Sequence, residues 1–515
     1  MRSVKRGIIG SDQASPVASQ RLRALNLTAF SRLKLFPRSL VSRELAQFGL
    51  AQTDDGPRLA ILTATADAAL LQSFEGKRSQ HDGHTLILGS LSPRNAAALR
   101  DQLPWLKPRP LGLRTSIGFG DRLGLATPGH VRAVRAAGNI APIFAQQSIR
   151  EMTRTGRTPQ QVMDDALWGV FQEGWRHGLG ADADHLKTTT DIDRCAVAGF
   201  TFFTIDPGEY VNNMAETATL FDLRDMAEQL PPDQQPAATG LLYQDFDLEG
   251  HLIHFDEHTL LKAIVKYGRA VLHVARLYQH LISLVDPSRC ELEVSVDETE
   301  QPTSHAEHVY IASELKRLGV KWVSLAPRYI GRFEKGVDYL GDVLAFEKDL
   351  AVHAAIARHF GPYKLSLHSG SDKFSIYPAV MRQTRGLVHL KTAGTSYLEA
   401  LRTIAPLDTS FFRKIYAFAR ECYDVDKASY HVSTQLSYAP TAEDLTDAQL
   451  LRLLDQFDAR EVLHVTFGSV LTECNADGSR RFYDRLMSLL RANPEAYAAN
   501  LEKHFARHLQ PFTAR

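Results

Sequence analysis

From Arg114 onward the chain repeats one unit: a short apolar or alternating run, a polar loop, then an amphipathic stretch of helix length. The runs are RTSIGFGD, IAPIFAQQS, ADADHLKT, FTFFTIDP, CELEVSVDET, WVSLAPR, YKLSLHSG and LVHLKTAG, eight in all. Helical stretches separate them, among them 158–175, 304–318 and 341–360, and Thr158 followed by Pro159 is a favourable helix start. Strand and helix alternating eight times predict an α/β chain folded as a (β/α)8 barrel over residues 111–404. The fourth and fifth runs stand too far apart for one crossover. An insertion at 208–286 is therefore expected, with a helix near 211–229, the loop PPDQQPAATG, a hairpin and a long helix over about 257–285.

Residues 1–110 read as a small α/β domain with strands at RLAILTA and TLILGSL. Helices are expected near 66–74 and at SPRNAAALRDQL, the latter capped by Ser92. The Pro-rich LPWLKPRPLGL is a linker, and residues 405–515 are expected as helices packed on the barrel. No internal repeat or low-complexity tract interrupts this plan.

Composition narrows the function classes. The 515 residues are 44% hydrophobic, with 59 basic and 59 acidic side chains, so no charge footprint for nucleic acid or an acidic membrane surface is present. Four scattered cysteines with no CxxC pair read as reduced thiols of a cytoplasmic protein. The N-terminus MRSVKRGIIGSDQASP is basic without a signal-like apolar stretch, and no run reaches the roughly 18 apolar residues of a membrane span. The expected partner is a small molecule, in a soluble protein for which homo-oligomerisation is left open.

Barrel sites are built where strands end at the carboxyl rim. In CELEVSVDET, Leu292, Val294 and Val296 form the outward set, leaving Glu291, Glu293, Ser295 and Asp297 inward, with Glu298 just beyond. The same rim collects Asp121, Arg122, Gln146, Gln147, Asp184, His185, Lys187, Asp206, Arg328, His368 and Lys391. Carboxylates, imidazoles and cations converging there suit a charged, oxygen-rich small molecule, with a divalent metal. His389 lies two residues before Lys391 and so deeper in the barrel. His308 shares a helical face with Ile311, Ala312 and Leu315, the spacing of a core residue, yet sits in the first turn of a helix that should begin beside the mouth. Two or three imidazoles with a carboxylate fit Zn²⁺, Mn²⁺ or Ni²⁺ with open positions. SIGFGDRLGLATPGH lacks the third glycine of a dinucleotide fingerprint and reads as a tight loop. GTSYLEALR opens the last barrel helix, where barrels often hold an anion.

Several long stretches, GFGDRLGLATPGH, AQQSIREMTRTGRTPQQVMDDA, GADADHLKT, SVDETEQPTSHAEHVYIASEL, LHSGSDKFSIYP and HLKTAGTSYLEALR, resemble the tagaturonate epimerase family, bacterial enzymes of hexuronate breakdown. The resemblance runs from about residue 110 to the C-terminus. It implies a metal-dependent interconversion of D-tagaturonate and D-fructuronate, with related members acting on fructose and tagatose.

These ketouronates differ at a hydroxyl-bearing carbon β to the ketone, so deprotonation beside the carbonyl inverts the wrong centre. Retro-aldol cleavage and re-addition, with a metal stabilising the enediolate, solves this and needs two acid/base groups on opposite faces. Asp184 with either Asp297 or Glu298 is the expected acid/base pair, and His185, His308 and His368 are the expected metal ligands. Arg122, Lys187, Lys373 and Lys391 are the candidate carboxylate anchors. Transient oxidation is the competing mechanism and requires a nicotinamide for which no fingerprint is present. A ketohexose 4-epimerase, a metal-dependent sugar-acid aldolase and a non-catalytic sugar-acid sensor are the alternative functions.

Overall fold

The computed structural model describes residues 26–513, apart from 45, 65–66 and 236–238. The N-terminal stretch MRSVKRGIIGSDQASP and part of PPDQQPAATG therefore lie outside the described residues. The chain divides into two compact units, one of residues up to Pro104 with 171–175, the other of 105–170 with 176 onward.

The first unit is built on a six-stranded antiparallel sheet. Its long hairpin pairs Ala46–Thr53 with Gly56–Ala64, and Gly56 turns the chain at φ +97°, where a Cβ is disfavoured. Leu27, Ala51, Ala60, Leu62 and Leu86 form the dry face. Helix Pro93–Gln102 starts where its sequence places it, with Ser92 Oγ accepting from Asn95 N at 3.3 Å.

The second unit is a closed parallel barrel. Its strands are β1 (Ser116–Gly120), β2 (Ala141–Ser148), β3 (Gly180–Leu186), β4 (Phe202–Ile205), β5 (Glu291–Ser295), β6 (Ser324–Ala326), β7 (Lys364–Leu367) and β8 (Val388–Thr392). Seven fall inside one of the eight runs, and β3 begins one residue before its run, at Gly180. Pairing of His389 with Ser116 in register closes β8 onto β1. Polar residues fill the interior because helices cover the outside: Leu292 and Val294 are buried outward while Glu293 is buried inward. Gly118 leaves room for a neighbour's side chain, since a Cβ there would stand 2.2 Å from Gln146 Oε1.

The helices used below are α1 (Thr127–Ala137), α2 (Glu257–Leu284), α3 (His305–Arg317), α4 (Val343–Phe360), α5 (Thr395–Leu407) and α6 (Pro494–Thr513). The insertion between β4 and β5 carries a short hairpin, Asp245–Leu248 with His251–His254, and α2. It is tied to α3 by Lys266, whose buried Nζ donates to Glu307 Oε1 at 3.1 Å. Behind β8 the chain is helical. α6 lies so close on α1 that a Cβ on Gly129 would meet Leu501 Cβ at 2.6 Å, and Tyr497 Oη donates to Ser396 O on α5 at 2.8 Å. No helix of the described residues is long and apolar enough to cross a membrane.

Candidate functional site

The carboxyl ends of β3, β5, β7 and β8 meet in one charged cluster. Lys391 of β8 is buried, with Nζ 2.6 Å from Asp184 Oδ1, 2.9 Å from Asp182 Oδ2 and 2.9 Å from Glu293 Oε1. A lone buried ammonium is costly, several kcal/mol per ion even after relaxation, so three surrounding carboxylates are what keep it charged. They hold its pKa above the usual lysine value although burial works against the charge.

His368, at the end of β7, is clamped at both ring nitrogens. Nε2 donates to Glu293 Oε1 at 2.6 Å, and Nδ1 lies 2.9 Å from Asp297 Oδ1 and 3.3 Å from Ser295 Oγ. Burial opposes the imidazolium, yet the Asp297 and Glu293 carboxylates together outweigh it and lift the pKa to about 9. Burial alone would likewise favour neutral Asp184, Glu293 and Asp297, but the cations beside them hold all three well below the carboxylate range. Asp182 is the exception, pushed up to about 7 by burial and neighbouring carboxylates despite Lys391.

His185 reaches the cluster through its backbone. The pairing of β3 with β4 slips between Phe203 and Ile205, and His185 takes a left-handed conformation at φ +54°. Successive strand residues normally point to opposite faces. The irregularity redirects His185, so that Asp184 Oδ1 accepts from His185 Nδ1 at 2.8 Å. Its Nε2 lies 3.7 Å from Asp297 Oδ1 and 4.0 Å from Glu298 Oε1. That nitrogen is buried and makes no hydrogen bond among the described residues. The His185 and His368 ring centroids are 5.0 Å apart.

The other expected residues divide. Arg122 is buried at the mouth, its Nε donating to Glu151 Oε1 at 2.8 Å and its guanidinium 3.5 Å over the Phe467 ring centroid. Lys187 stands at the outer edge, paired with Glu209 at 3.1 Å and Asp206 at 3.7 Å. Glu298 pairs with Arg150 at 2.9 Å.

Two expectations are corrected by the structure. His308 does not face the mouth: it is fully buried between α3 and α4, where its Nδ1 meets His353 Nδ1 at 2.9 Å and its Nε2 meets Tyr363 Oη at 2.8 Å. Burial pushes its pKa down to about 3, the state of a core imidazole. Lys373 is also fully buried, and its Nζ donates to the backbone carbonyls of Glu334, Val337 and Ser371. It fastens two loops and is not an anion anchor.

Other groups at the mouth carry no strand-end signal. A cleft of about 380 Å³ opens over His368 and Asp297, lined also by Glu298, Arg328, Lys335, Tyr430 and Ser433. A smaller cavity of about 30 Å³ beneath shares Asp297, Lys335, His368, Ser369 and Tyr430 with it and adds Arg122, His185, Lys391 and His464. Lys335 is half-buried, and desolvation in this setting lowers its pKa; its Nζ donates to Ser369 Oγ. Its only mark in the sequence is the length of the loop between β6 and α4, since long βα loops are where barrels keep binding groups. Tyr430, Ser433 and His464 arrive from beyond the barrel, and no pattern in the chain announces them. Glu293 points inward in the sequence reading, but without a role.

The donor set fits a divalent cation. Asp184, His185 and His368 offer ligand atoms within 4.8 Å of one another. The second nitrogen of each imidazole is already fixed by a carboxylate, Asp184 for His185 and Glu293 for His368, the outer-shell pattern that orients metal-binding histidines.

A closed parallel barrel with imidazoles, carboxylates and a buried lysine gathered at its carboxyl rim is the architecture of a barrel enzyme. The family model for tagaturonate epimerase matches residues 36–512. A tagaturonate/fructuronate epimerase of Thermotoga maritima is 41% identical over 478 residues, covering 92% of this chain and 96% of the relative. The native crystal structure of fructuronate-tagaturonate epimerase from Cohnella laeviribosi superposes with a TM-score of 0.89 at 38% identity, over 97% of this chain and 99% of that one. A glycerol complex of the same Cohnella protein gives the same values. The chain belongs to the tagaturonate epimerase family and is an isomerase-class enzyme.

Proposed function

We propose that this enzyme interconverts D-tagaturonate and D-fructuronate by retro-aldol cleavage and re-addition, with a divalent cation of the Mn²⁺, Ni²⁺ or Zn²⁺ class. The observation that carries the reading is the buried, partnerless Nε2 of His185, aimed at the same Asp297 carboxylate that His368 Nδ1 meets. His185, His368 and Asp297 would hold the cation, with Asp184 and Glu293 fixing the two rings from behind. When bound, the cation supplies Lewis-acid polarisation of the substrate's ketone.

The chain's own groups do the remainder. Asp184 fixes the His185 ring through Oδ1, 2.8 Å from Nδ1, and its other carboxylate oxygen forms with Glu298, 4.0 Å from Nε2, the acid/base pair on the two sides of the substrate. One carboxylate takes the proton from the hydroxyl at the carbon β to the ketone. The C–C bond between the α and β carbons breaks, its electron pair passing into an enediolate, and the β carbon becomes an aldehyde. The aldehyde turns over within the cleft and the enediolate carbon re-adds to its other face. The second carboxylate, which enters the cycle protonated, delivers its proton to the new alkoxide while the first keeps the one it took, so the pair exchanges protonation states and atoms and charge balance. Lys335, lining both cavities, binds the substrate carboxylate, with Arg122 and Lys391 adding positive charge. Arg328 and Lys335 along the cleft favour a sugar acid over a neutral ketose.

The test is NMR of the purified protein with D-tagaturonate and each of the three ions. Fructuronate signals should grow to a constant ratio, stop growing on addition of EDTA, and resume when metal is restored. Conversion of tagatose or fructose while both uronates persist would replace the substrate assignment. Accumulation of free three-carbon fragments would turn the reading to an aldolase.

A further inference from the structure

We propose that His305, Asp349 and His353 form a second divalent-cation site, of the zinc class, that clips the first turn of α3 to the middle of α4. Nothing in the reaction above uses these residues, and the inference stands apart from it. Asp349 and His353 lie one turn apart on α4, so both side chains share a face. His305 is the first residue of α3, held at that point by the Ser304 capping box. His305 Nε2 is 2.9 Å from Asp349 Oδ1, and His353 Nε2 is 3.6 Å from Asp349 Oδ2. The three ligand atoms all lie within 4.8 Å of one another. Ligand atoms around tetrahedral zinc, at about 2.0–2.1 Å from the ion, stand roughly 3.3 Å apart; the two imidazoles meet the Asp349 carboxylate at distances near that spacing, one at each oxygen, so a small turn of the carboxylate presents a single oxygen to both.

The independent sign of a ligand is unmet bonding capacity. His353 is 0% exposed, yet its Nε2 makes no hydrogen bond within 3.5 Å, and neither does Asp349 Oδ2, which faces it at 3.6 Å. Buried polar atoms in that state are rare and call for a specific reason. His353 is also oriented from behind as metal-binding imidazoles are: its Nδ1 meets His308 Nδ1 at 2.9 Å, and His308 Nε2 meets Tyr363 Oη at 2.8 Å. With the proton of His353 on Nδ1, its Nε2 lone pair faces Asp349 and His305. His305 is about one third exposed, leaving a solvent edge for a water as fourth ligand. Two imidazoles and one carboxylate select Zn²⁺, Co²⁺ or Ni²⁺ over Mg²⁺ or Ca²⁺. The site also adjoins the main cleft, because the Tyr329 ring, which lines that cleft, stands 5.8 Å from the His353 ring at 89°.

Equilibrium dialysis of the full-length protein against Zn²⁺, with thermal unfolding in parallel, tests the proposal. Asp349→Asn and His305→Ala should each bind one zinc fewer per chain than the parent and lose the corresponding zinc-dependent rise in Tm. Tyr363→Phe should keep the stoichiometry but bind that ion roughly 10-fold more weakly. Equal zinc stoichiometry and affinity in the parent and His305→Ala, whose partly exposed position tolerates truncation, overturns the site even if Asp349→Asn does not fold. A parent protein that binds no zinc overturns it as well. Loss of epimerase turnover with this ion still bound would instead count against the active-site reading alone.

Discussion

Asp184 and His185 are consecutive in the chain, yet their side chains meet at 2.8 Å and face the same chamber. The left-handed φ of His185, +54°, makes this possible on a strand that would otherwise part them. A non-glycine residue pays roughly 1–2 kcal/mol for that conformation. His185→Gly is therefore expected to be about 1 kcal/mol more stable than His185→Ala, since both lose the imidazole and only glycine relieves the backbone. Turnover should be lost in both. Chemical denaturation compares them, and equal midpoints at equal slope would remove the strain argument.

Glu293 is not among the residues lining either cavity but fixes His368 Nε2 at 2.6 Å from behind. Glu293→Gln should lower metal affinity or kcat/KM by about 10- to 100-fold. Metal titration of the variant, followed by activity, measures it. A variant indistinguishable from the parent removes the orienting role.

Lys391 neutralises carboxylates from β3 and β5. Lys391→Met leaves Asp182, Asp184 and Glu293 buried together, and breaking a buried ion cluster by one partner costs about 3–5 kcal/mol. A marked drop in Tm with loss of turnover is expected. An unchanged Tm would mean the carboxylates find protons or other partners without strain.

Glu461 is fully buried, and burial, with the nearby Glu334 charge adding to it, pushes its pKa up to about 8. Below the ordinary glutamate value near 4.5 the side chain is protonated in the folded and unfolded chain alike. Between about 4.5 and 8 the unfolded chain releases the proton and the folded one keeps it, so stability falls as pH rises through that window. Glu461→Gln abolishes the fall, and its Tm advantage over the parent should be larger at pH 8 than at pH 5. An advantage independent of pH rules the titration out.

The barrel was legible because each strand is short and separated from the next by a helical stretch, several of them with a start signal such as Thr158–Pro159 or Ser304. That alternation survives even the long insertion before β5. The mouth was legible wherever a residue ends a strand: Asp184, Asp297, His368 and Lys391 could be placed by counting inward and outward positions. His308 and Lys373 defeat that logic for separate reasons. The α3 helix turns His308 toward α4, as its spacing with Ile311, Ala312 and Leu315 already allowed. Lys373 follows Asp372, which is itself left-handed at φ +63°, and its amine is consumed by carbonyls from a loop 36 or more residues away. The slip that redirects His185 is a property of strand pairing, not of local residue pattern. Lys335, Tyr430 and His464 come from loops and from the C-terminal helices, where periodicity carries no information about which way a side chain looks.

The outer wall of the cleft has a consequence for the newborn protein. Tyr430 and Ser433, with His464 below them, are encoded after the last barrel strand. A nascent chain that has just closed β8 onto β1 on the ribosome holds its acids and imidazoles in an open dish. Only when a further seventy or so codons have been read, on the order of several seconds at ordinary elongation rates, does the dish gain the wall that encloses it in the folded protein.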